Sequence, residues 1–318
     1  MPIDPTAAQV IELLDAVFPR AAGPDHDAAE FKAVAADIPR LPPTEEIGRV
    51  EDRMIPSSGT GTGHQIPVRI YEPAGVDGPL PGVVYLHGGG WVICDLDTHD
   101  NGCRQLANEV GAVVVSVDYR LAPDHKHPAA ADDAYSVLCW VIEHAEELGI
   151  DPARVAVAGD SAGGNLAAVV TLRARAAEVR VAYQLLIYPV IDSSSTRNDY
   201  PSKVDNATGY FLTTEQMDWY RAQYLPDDAA GEHPDVSPHL ADSLEDLPPA
   251  FIVTAEMDPL RDEAEHYGRL LEQAGVEVTV YRADGMFHGF FNMDAALEGA
   301  QKAQTAAFGS MRGVLRSD

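Results

Sequence analysis

Apolar and polar positions divide the chain into three regimes. Near the N-terminus Val10, Ile11, Leu14, Val17 and Phe18 recur at helical spacing, which gathers them on one face of a helix. Asp4-Pro5 offers an N-cap followed by proline at the first helical position, and Pro19 ends the run. Phe31, Val34, Ala35 and Ile38 form a second stripe, entered through Asp27 and Glu30 at capping-box spacing and stopped by Pro39. After Pro42-Pro43 the period changes. Residues 50–55 and 66–71 predict strands joined by a flexible turn at 57–63. Beyond them, short apolar runs at 82–86, 112–117, 154–158, 184–188 and 250–255 show little alternation, and 276–281 predicts a further strand. Helical patterns separate several of them, over 128–148, 162–177, 262–274 and about 294–315. Strands that are apolar on both sides and separated by helices predict an α/β fold: a mostly parallel central sheet covered by helices on both faces. Residues 192–247 break the alternation. They are rich in Asp, Pro and Ser, carry one helix near 214–224, and read as an insertion where strands end, not a separate domain.

Charge and composition narrow the function classes. The 318 residues hold 50 acidic and 22 basic side chains, a net charge of −28, with 46% apolar residues. The apolar fraction is enough for a packed domain. The negative charge disfavours partners built on phosphate, so neither nucleic acid nor an anionic membrane surface is expected. Four lysines against 18 arginines and the acid excess fit two readings: adaptation to salt, or an acidic surface from an arginine-biased genome. A stability series from low to molar salt separates them. The first residues carry Asp4, Glu12 and Asp15 before the first base, Arg20, which is not a secretory pattern. No apolar run reaches the roughly 20 residues of a membrane span. Three cysteines, Cys94, Cys103 and Cys139, make no disulfide framework and no zinc pair. The expectation is a cytoplasmic protein without metal or membrane insertion.

Two segments carry chemistry. Gly159-Asp160-Ser161-Ala162-Gly163 lies between a strand and a helix, the setting in which G-x-S-x-G forms a nucleophile elbow. A serine in that sharp turn projects its Oγ from the C-terminal end of the sheet. Gly159 and Gly163 leave room for the turn, and the helix start adds N–H donors. His87-Gly88-Gly89-Gly90-Trp91 follows another strand. Its glycines let backbone N–H groups approach a ligand, as an oxyanion hole requires. The backbone of Gly88, Gly89 and Ala162 is the expected donor set, with His87 holding the loop. A phosphate-binding loop is excluded, since no lysine completes it.

With Tyr119-Arg120-Leu121-Ala122-Pro123 between them, these motifs resemble the bacterial hormone-sensitive-lipase family of α/β-hydrolases, in its Gly-Asp-Ser-Ala-Gly-Gly subgroup. The likeness runs from about Tyr71 to the last helix. It implies a carboxylic-ester hydrolase with no cofactor and an α/β-hydrolase core at 46–318. It also implies a helical cap made from residues 1–45 and the 192–247 insertion.

In this fold the acid and the histidine follow the serine. Of the histidines after Ser161, His288 lies on a glycine-flanked loop, while His266 falls in a helix and His233 and His239 in the insertion, where solvated positions are expected. The resemblance places the catalytic histidine in the same His-Gly-Phe setting. For the acid, Asp258 and Asp262 both follow the 250–255 strand. Asp262 sits where a carboxylate caps a helix, and the resemblance implies Asp258, in Asp-Pro-Leu. The expected triad is Ser161, Asp258 and His288, acting on a small-molecule ester. Trp91, Tyr210, Phe211, Met217 and Trp219 are the candidates for the substrate pocket. An amide, lactone or carbamate hydrolase would use the same triad, and a ligand-binding receptor of this fold is the reading from another class. The resemblance also allows a homodimer through the last strand.

Overall fold

The computed structural model describes residues 2–18, 26–38, 42–57, 64–76 and 78–316. All of the expected turn at 57–63 except Ser57, and the two stop prolines, Pro19 and Pro39, lie outside them. In chain order, α1 (Pro5–Val17) and α2 (Ala28–Ala36) precede β1 (Arg49–Pro56), β2 (Gln65–Glu72) and β3 (Leu80–Leu86). Then come α3 (Asp100–Val110), β4 (Val113–Val117), α4 (Ala129–Glu143), β5 (Ile150–Asp160), α5 (Ala162–Ala176) and β6 (Tyr183–Ile187). The chain ends with α6 (Ser202–Asp205), α7 (Thr214–Tyr224), β7 (Ala250–Met257), α8 (Arg261–Gln273), β8 (Val278–Phe287) and α9 (Glu298–Arg316).

The strands form one eight-stranded sheet in the order β1-β2-β4-β3-β5-β6-β7-β8. β2 runs antiparallel to both β1 and β4, and the pairs from β4 to β8 are parallel. The central strands are mostly apolar on both sides because both faces are covered, with Ser116, Gln184 and Thr254 as buried polar exceptions. Val84, Leu86, Val155, Val157 and Ile252 pack in one cluster with residues of α4, α5 and α8. The intervening Val83, Tyr85, Ala156, Ala158 and Val253 pack in a second cluster with residues of α3 and α9. Each strand thus contributes alternate side chains to two cores. Among the described residues no helix is long and apolar enough to cross a membrane.

Several boundaries differ from the sequence pattern for identifiable reasons. α3 has no counterpart in it. Its apolar stripe is only Cys103, Leu106, Ala107 and Val110, its first turn contains Gly102, and it stops at Gly111 in the left-handed region, φ 71°. α4 ends at Glu143; the apolar residues up to Leu148 are buried in turns and extend the periodic pattern beyond the helix. β8 continues to Phe287, well past 281, pairing with β7 through a register shift between Ala255 and Met257.

The N-terminal helices meet the insertion. Asp4 Oδ1 caps α1 by accepting from Thr6 N and Ala7 N at 2.8 and 3.0 Å. Asp27 caps α2 through the N–H groups of Ala29 and Glu30; a return bond from Glu30 is not among the contacts of the described residues, so the capping box forms in one direction. The box closes in both directions on α7, between Thr213 and Gln216. Phe31 of α2 lies 4.6 Å from the ring of Trp219 on α7, Phe18 lies 5.3 Å from Phe211, and Trp219 Nε1 donates to His26 O.

Candidate active site

Ser161 is the residue between β5 and α5, with φ 56° and ψ −118°. A non-glycine residue held there is strained, and the neighbours maintain the strain. The Ser161 N–H donates to Ile187 O at 2.8 Å. A Cβ on Gly163 would fall onto the Leu86 carbonyl, and one on Gly159 onto the Gly163 carbonyl. The steric reason for both glycines is therefore backbone, not side chain.

His288 follows β8, and Gly289 beyond it has φ 89°. His288 Nε2 is 2.9 Å from Ser161 Oγ, and its Nδ1 is 2.7 Å from Asp258 Oδ2. The other oxygen of Asp258 accepts from the Leu260 N–H at 2.9 Å. Asp258 is fully buried and His288 nearly so, with the Tyr188 ring 4.6 Å from the imidazole. Three side chains from three separate loops thus form one hydrogen-bonded chain. Asp262 is turned elsewhere, accepting from Ser202 N and Arg261 Nε. His266 lies in α8. His239, expected to be solvated, is instead largely buried: its Nδ1 lies 3.1 Å from Ile191 O and its Nε2 3.5 Å from Asp192 Oδ2.

The glycine loop departs from the expected donor set at one position. The Gly88 N–H donates to Asp160 Oδ1 at 3.0 Å and is not free to hold an oxyanion. Among the described residues no hydrogen bond engages the N–H of Gly89 or Gly90, and both glycines line the cavity at Ser161. Both have positive φ, 114° and 60°. The reason lies in Asp160, whose buried carboxylate also accepts from Tyr85 OH at 2.8 Å and lies 3.2 Å from His99 Nε2. Burial alone would raise the Asp160 carboxyl; the charge and hydrogen bond of His99 and the Tyr85 hydroxyl hold it below its ordinary value. Asp160 and His99 therefore tie the elbow to the glycine loop. Sequence reading missed His99 because it lies some sixty residues from its partner.

His87 contacts the glycine loop and Tyr119. Its Nδ1 lies 2.7 Å from Gly88 O, and its ring stacks on Tyr119 at 4.3 Å. Burial, then the charge of His99, pushes it down to about 4 and keeps it neutral. Tyr119 OH donates to His87 O at 2.7 Å, and Arg120 makes a two-pronged contact with buried Asp133. These contacts give the Tyr119-Arg120 motif its structural role.

A cavity of about 590 Å³ opens over Ser161 and His288. Leu14, Phe18, Ala35 and Ile38 line it from the N-terminal helices, and Phe211, Leu212 and Met217 from the insertion. Trp91 also lines it, stacked on Tyr224 at 4.2 Å. Tyr210 and Trp219 do not: Trp219 is buried between α2 and α7, its apolar ring taken by Phe31, and Tyr210 packs at the edge of the second core cluster. Among the described residues no group of His, Cys, Asp and Glu is placed to hold a metal ion.

Asp118, just beyond β4, also lines the cavity. Burial, then the charges of Asp95 and Asp97, pushes its carboxyl up from 3.8 to about 6. The folded protein binds this proton more tightly than the unfolded chain does, so the contribution to stability is present at low pH and is lost as pH rises through about 6. Asp118→Asn should therefore melt higher than the wild type near pH 7.5, and the gap should close near pH 4. Melting curves at the two pH values check this; a gap of the same size at both contradicts it.

Comparison with known proteins gives one direction. The alpha/beta hydrolase fold family matches residues 83–292. The carboxylesterase NlhH of Mycobacterium tuberculosis is 39% identical over 99% of this chain and 97% of its own length. The ethyl acetate hydrolase of Pseudomonas putida is 41% identical over 76% of this chain and 77% of its own. Among solved structures, a hyperthermophilic esterase from the archaeon Pyrobaculum calidifontis superposes with a TM-score of 0.88 at 41% identity, covering 98% of this chain and 99% of that one.

Proposed function

The chain belongs to the hormone-sensitive-lipase-like family of α/β-hydrolases, and from that premise we propose that this serine carboxylesterase cleaves short- to medium-chain carboxylic esters through an acyl-enzyme on Ser161. The observation that carries the proposal is the hydrogen-bonded chain Ser161–His288–Asp258 at the base of an apolar cavity.

The chemistry follows from the geometry. His288 Nε2 takes the proton of Ser161 Oγ as the oxygen bonds to the ester carbonyl carbon. Asp258, on Nδ1, keeps the imidazole in the tautomer that can accept that proton and stabilises the cation that forms. Negative charge grows on the carbonyl oxygen, where the N–H groups of Gly89, Gly90 and Ala162 are the fitting donors. As the tetrahedral centre collapses, the C–O bond to the alcohol breaks and His288 returns its proton to the leaving oxygen. Water then attacks the acyl carbon, with His288 again as base, and the acid departs as Ser161 is reprotonated.

The packing of α2 on α7, and of Phe18 at the end of α1 on Phe211 of the insertion, supports reading residues 1–45 and 192–247 as a single cap over a catalytic core at 46–318. Cysteines outside disulfides fit the expected cytoplasmic setting. A cavity of about 590 Å³ suits a small ester better than a triglyceride. The test is a p-nitrophenyl ester series from acetate to palmitate. Turnover should peak among the short acyl chains and fall steeply towards the long ones; a maximum at palmitate would overturn the size assignment, and no turnover at any length would overturn the esterase reading.

A further inference from the structure

The loop that carries Asp258 is gripped along its length by one short segment of the insertion. The Ser202 N–H donates to Asp262 Oδ2 at 2.8 Å, while its hydroxyl donates to Pro259 O at 2.8 Å and accepts from the Asp262 N–H at 3.2 Å. Lys203 Nζ pairs with Glu263 Oε2 at 2.6 Å, with both side chains almost wholly buried. Glu263 Oε1 in turn accepts from Ile191 N at 2.8 Å, tying the start of the insertion to the same loop. Asn206 completes the grip: its Nδ2 donates to Glu256 O at 3.2 Å and to Asp258 O at 3.1 Å, and the residue is 4% exposed.

Asn206 and Arg261 reach the same two carbonyls: the Arg261 N–H donates to Asp258 O at 3.2 Å and its Nη1 to Glu256 O at 2.9 Å. β7 ends at Met257, so Asp258 lies just beyond the sheet ladder. Its carboxylate is held by Leu260 N and His288 Nδ1, and its carbonyl by Asn206 Nδ2 and the Arg261 N–H. The carbonyls of Glu256 and Asp258 lie two residues apart and flank the last residue of the strand. The Asn206 amide bridges them from the insertion and, with Arg261, fixes the backbone from which the catalytic carboxylate projects.

We infer that Asn206 is a positioning residue for the triad: its amide holds the Asp258 backbone so that Oδ2 stays on His288 Nδ1. This rests on the catalytic reading of Ser161, His288 and Asp258. Asn206 acts through Asp258 and touches no reacting atom. Displacing a catalytic group by an ångström costs about 100-fold in rate, and the hydrogen bond of the triad acid is short and directional, so loss of the bridge falls on the chemical step.

The experiment compares wild type, Asn206→Asp and Asn206→Ala with p-nitrophenyl butyrate, each also in an Asp258→Asn background. Asn206→Asp keeps the shape but sets an oxygen against two carbonyl oxygens; Asn206→Ala removes the amide without that repulsion and serves where the first variant does not fold. In the wild-type background kcat should fall about 10- to 100-fold while KM changes by less than about threefold. In the Asp258→Asn background the same change should cost less than about threefold, because the residue it acts through is already lost. Equal losses in the two backgrounds, or an unmoved kcat in a folded variant, would overturn the positioning role alone. An inert wild type would overturn the esterase reading and this inference with it.

Discussion

Ser161→Ala should lose about 10⁶-fold in kcat on any ester the wild type cleaves, while its melting temperature stays close to the wild-type value. The loss is large because the triad acts as a unit: without Oγ, His288 has no proton to take and no acyl-enzyme forms. What remains is catalysis by the oxyanion donors and by binding, about 10³- to 10⁴-fold over water. The small effect on stability follows from the local structure. The turn at Ser161 is imposed by its backbone contact with Ile187 and by the two glycines that flank the elbow, none of which involves the hydroxyl. Steady-state kinetics beside a melting curve test both halves. Residual turnover within about tenfold of wild type would remove Ser161 from the mechanism.

Asp258→Asn should cost about 10⁴-fold in kcat with little change in KM. The carboxylate accepts from the Nδ1–H of His288, and an amide in its place presents N–H groups to that nitrogen. The imidazole then adopts the other tautomer, with its proton on Nε2 facing Ser161 Oγ, where it cannot act as a base. Asp262→Asn is the informative control. Its carboxylate serves Ser202 and Arg261, not the imidazole, so kcat should change far less than in Asp258→Asn. Kinetics of the two variants side by side decide which carboxylate belongs to the triad. Equal losses would mean that the loop as a whole, and not one carboxylate, is what matters.

Much of this site is legible in the sequence because its chemistry depends on short-range backbone geometry. The elbow needs glycines two residues either side of Ser161, the glycine loop needs several in a row, and both announce themselves in five residues. The central strands are legible for a related reason: a strand covered on both faces is apolar on both sides over most of its length. α3 was not legible, because a four-residue stripe that begins only after Gly102 falls below what periodicity distinguishes from a loop. The assignment of Gly88 as an oxyanion donor failed for another reason. Its N–H belongs to Asp160, seventy-two residues away, and no local pattern shows which of three consecutive amides faces the cavity. Pocket residues were the least legible. Trp219 and Met217 sit on one short helix, and only the packing of Phe31 against Trp219 puts one in the core and the other at the cavity.

Asp160, Asp258 and Glu263 are carboxylates at or near full burial, and each is held by named donors: Tyr85, Gly88 and His99; Leu260 and His288; Ile191 and Lys203. Removing one donor from such a group leaves a buried charge without its partner, which is costly. The framework around the triad is therefore expected to tolerate substitution least at these donors.

The central claim is that Ser161 becomes covalently modified by the substrate. The most direct measurement is the mass of the protein after reaction with a p-nitrophenyl alkylphosphonate, whose adduct does not hydrolyse, followed by peptide mapping. The account predicts one phosphonyl group per chain, located on Ser161, gained in step with the loss of esterase activity and absent from Ser161→Ala. Full inactivation with the adduct on any other residue, or full activity with Ser161 labelled, would contradict it.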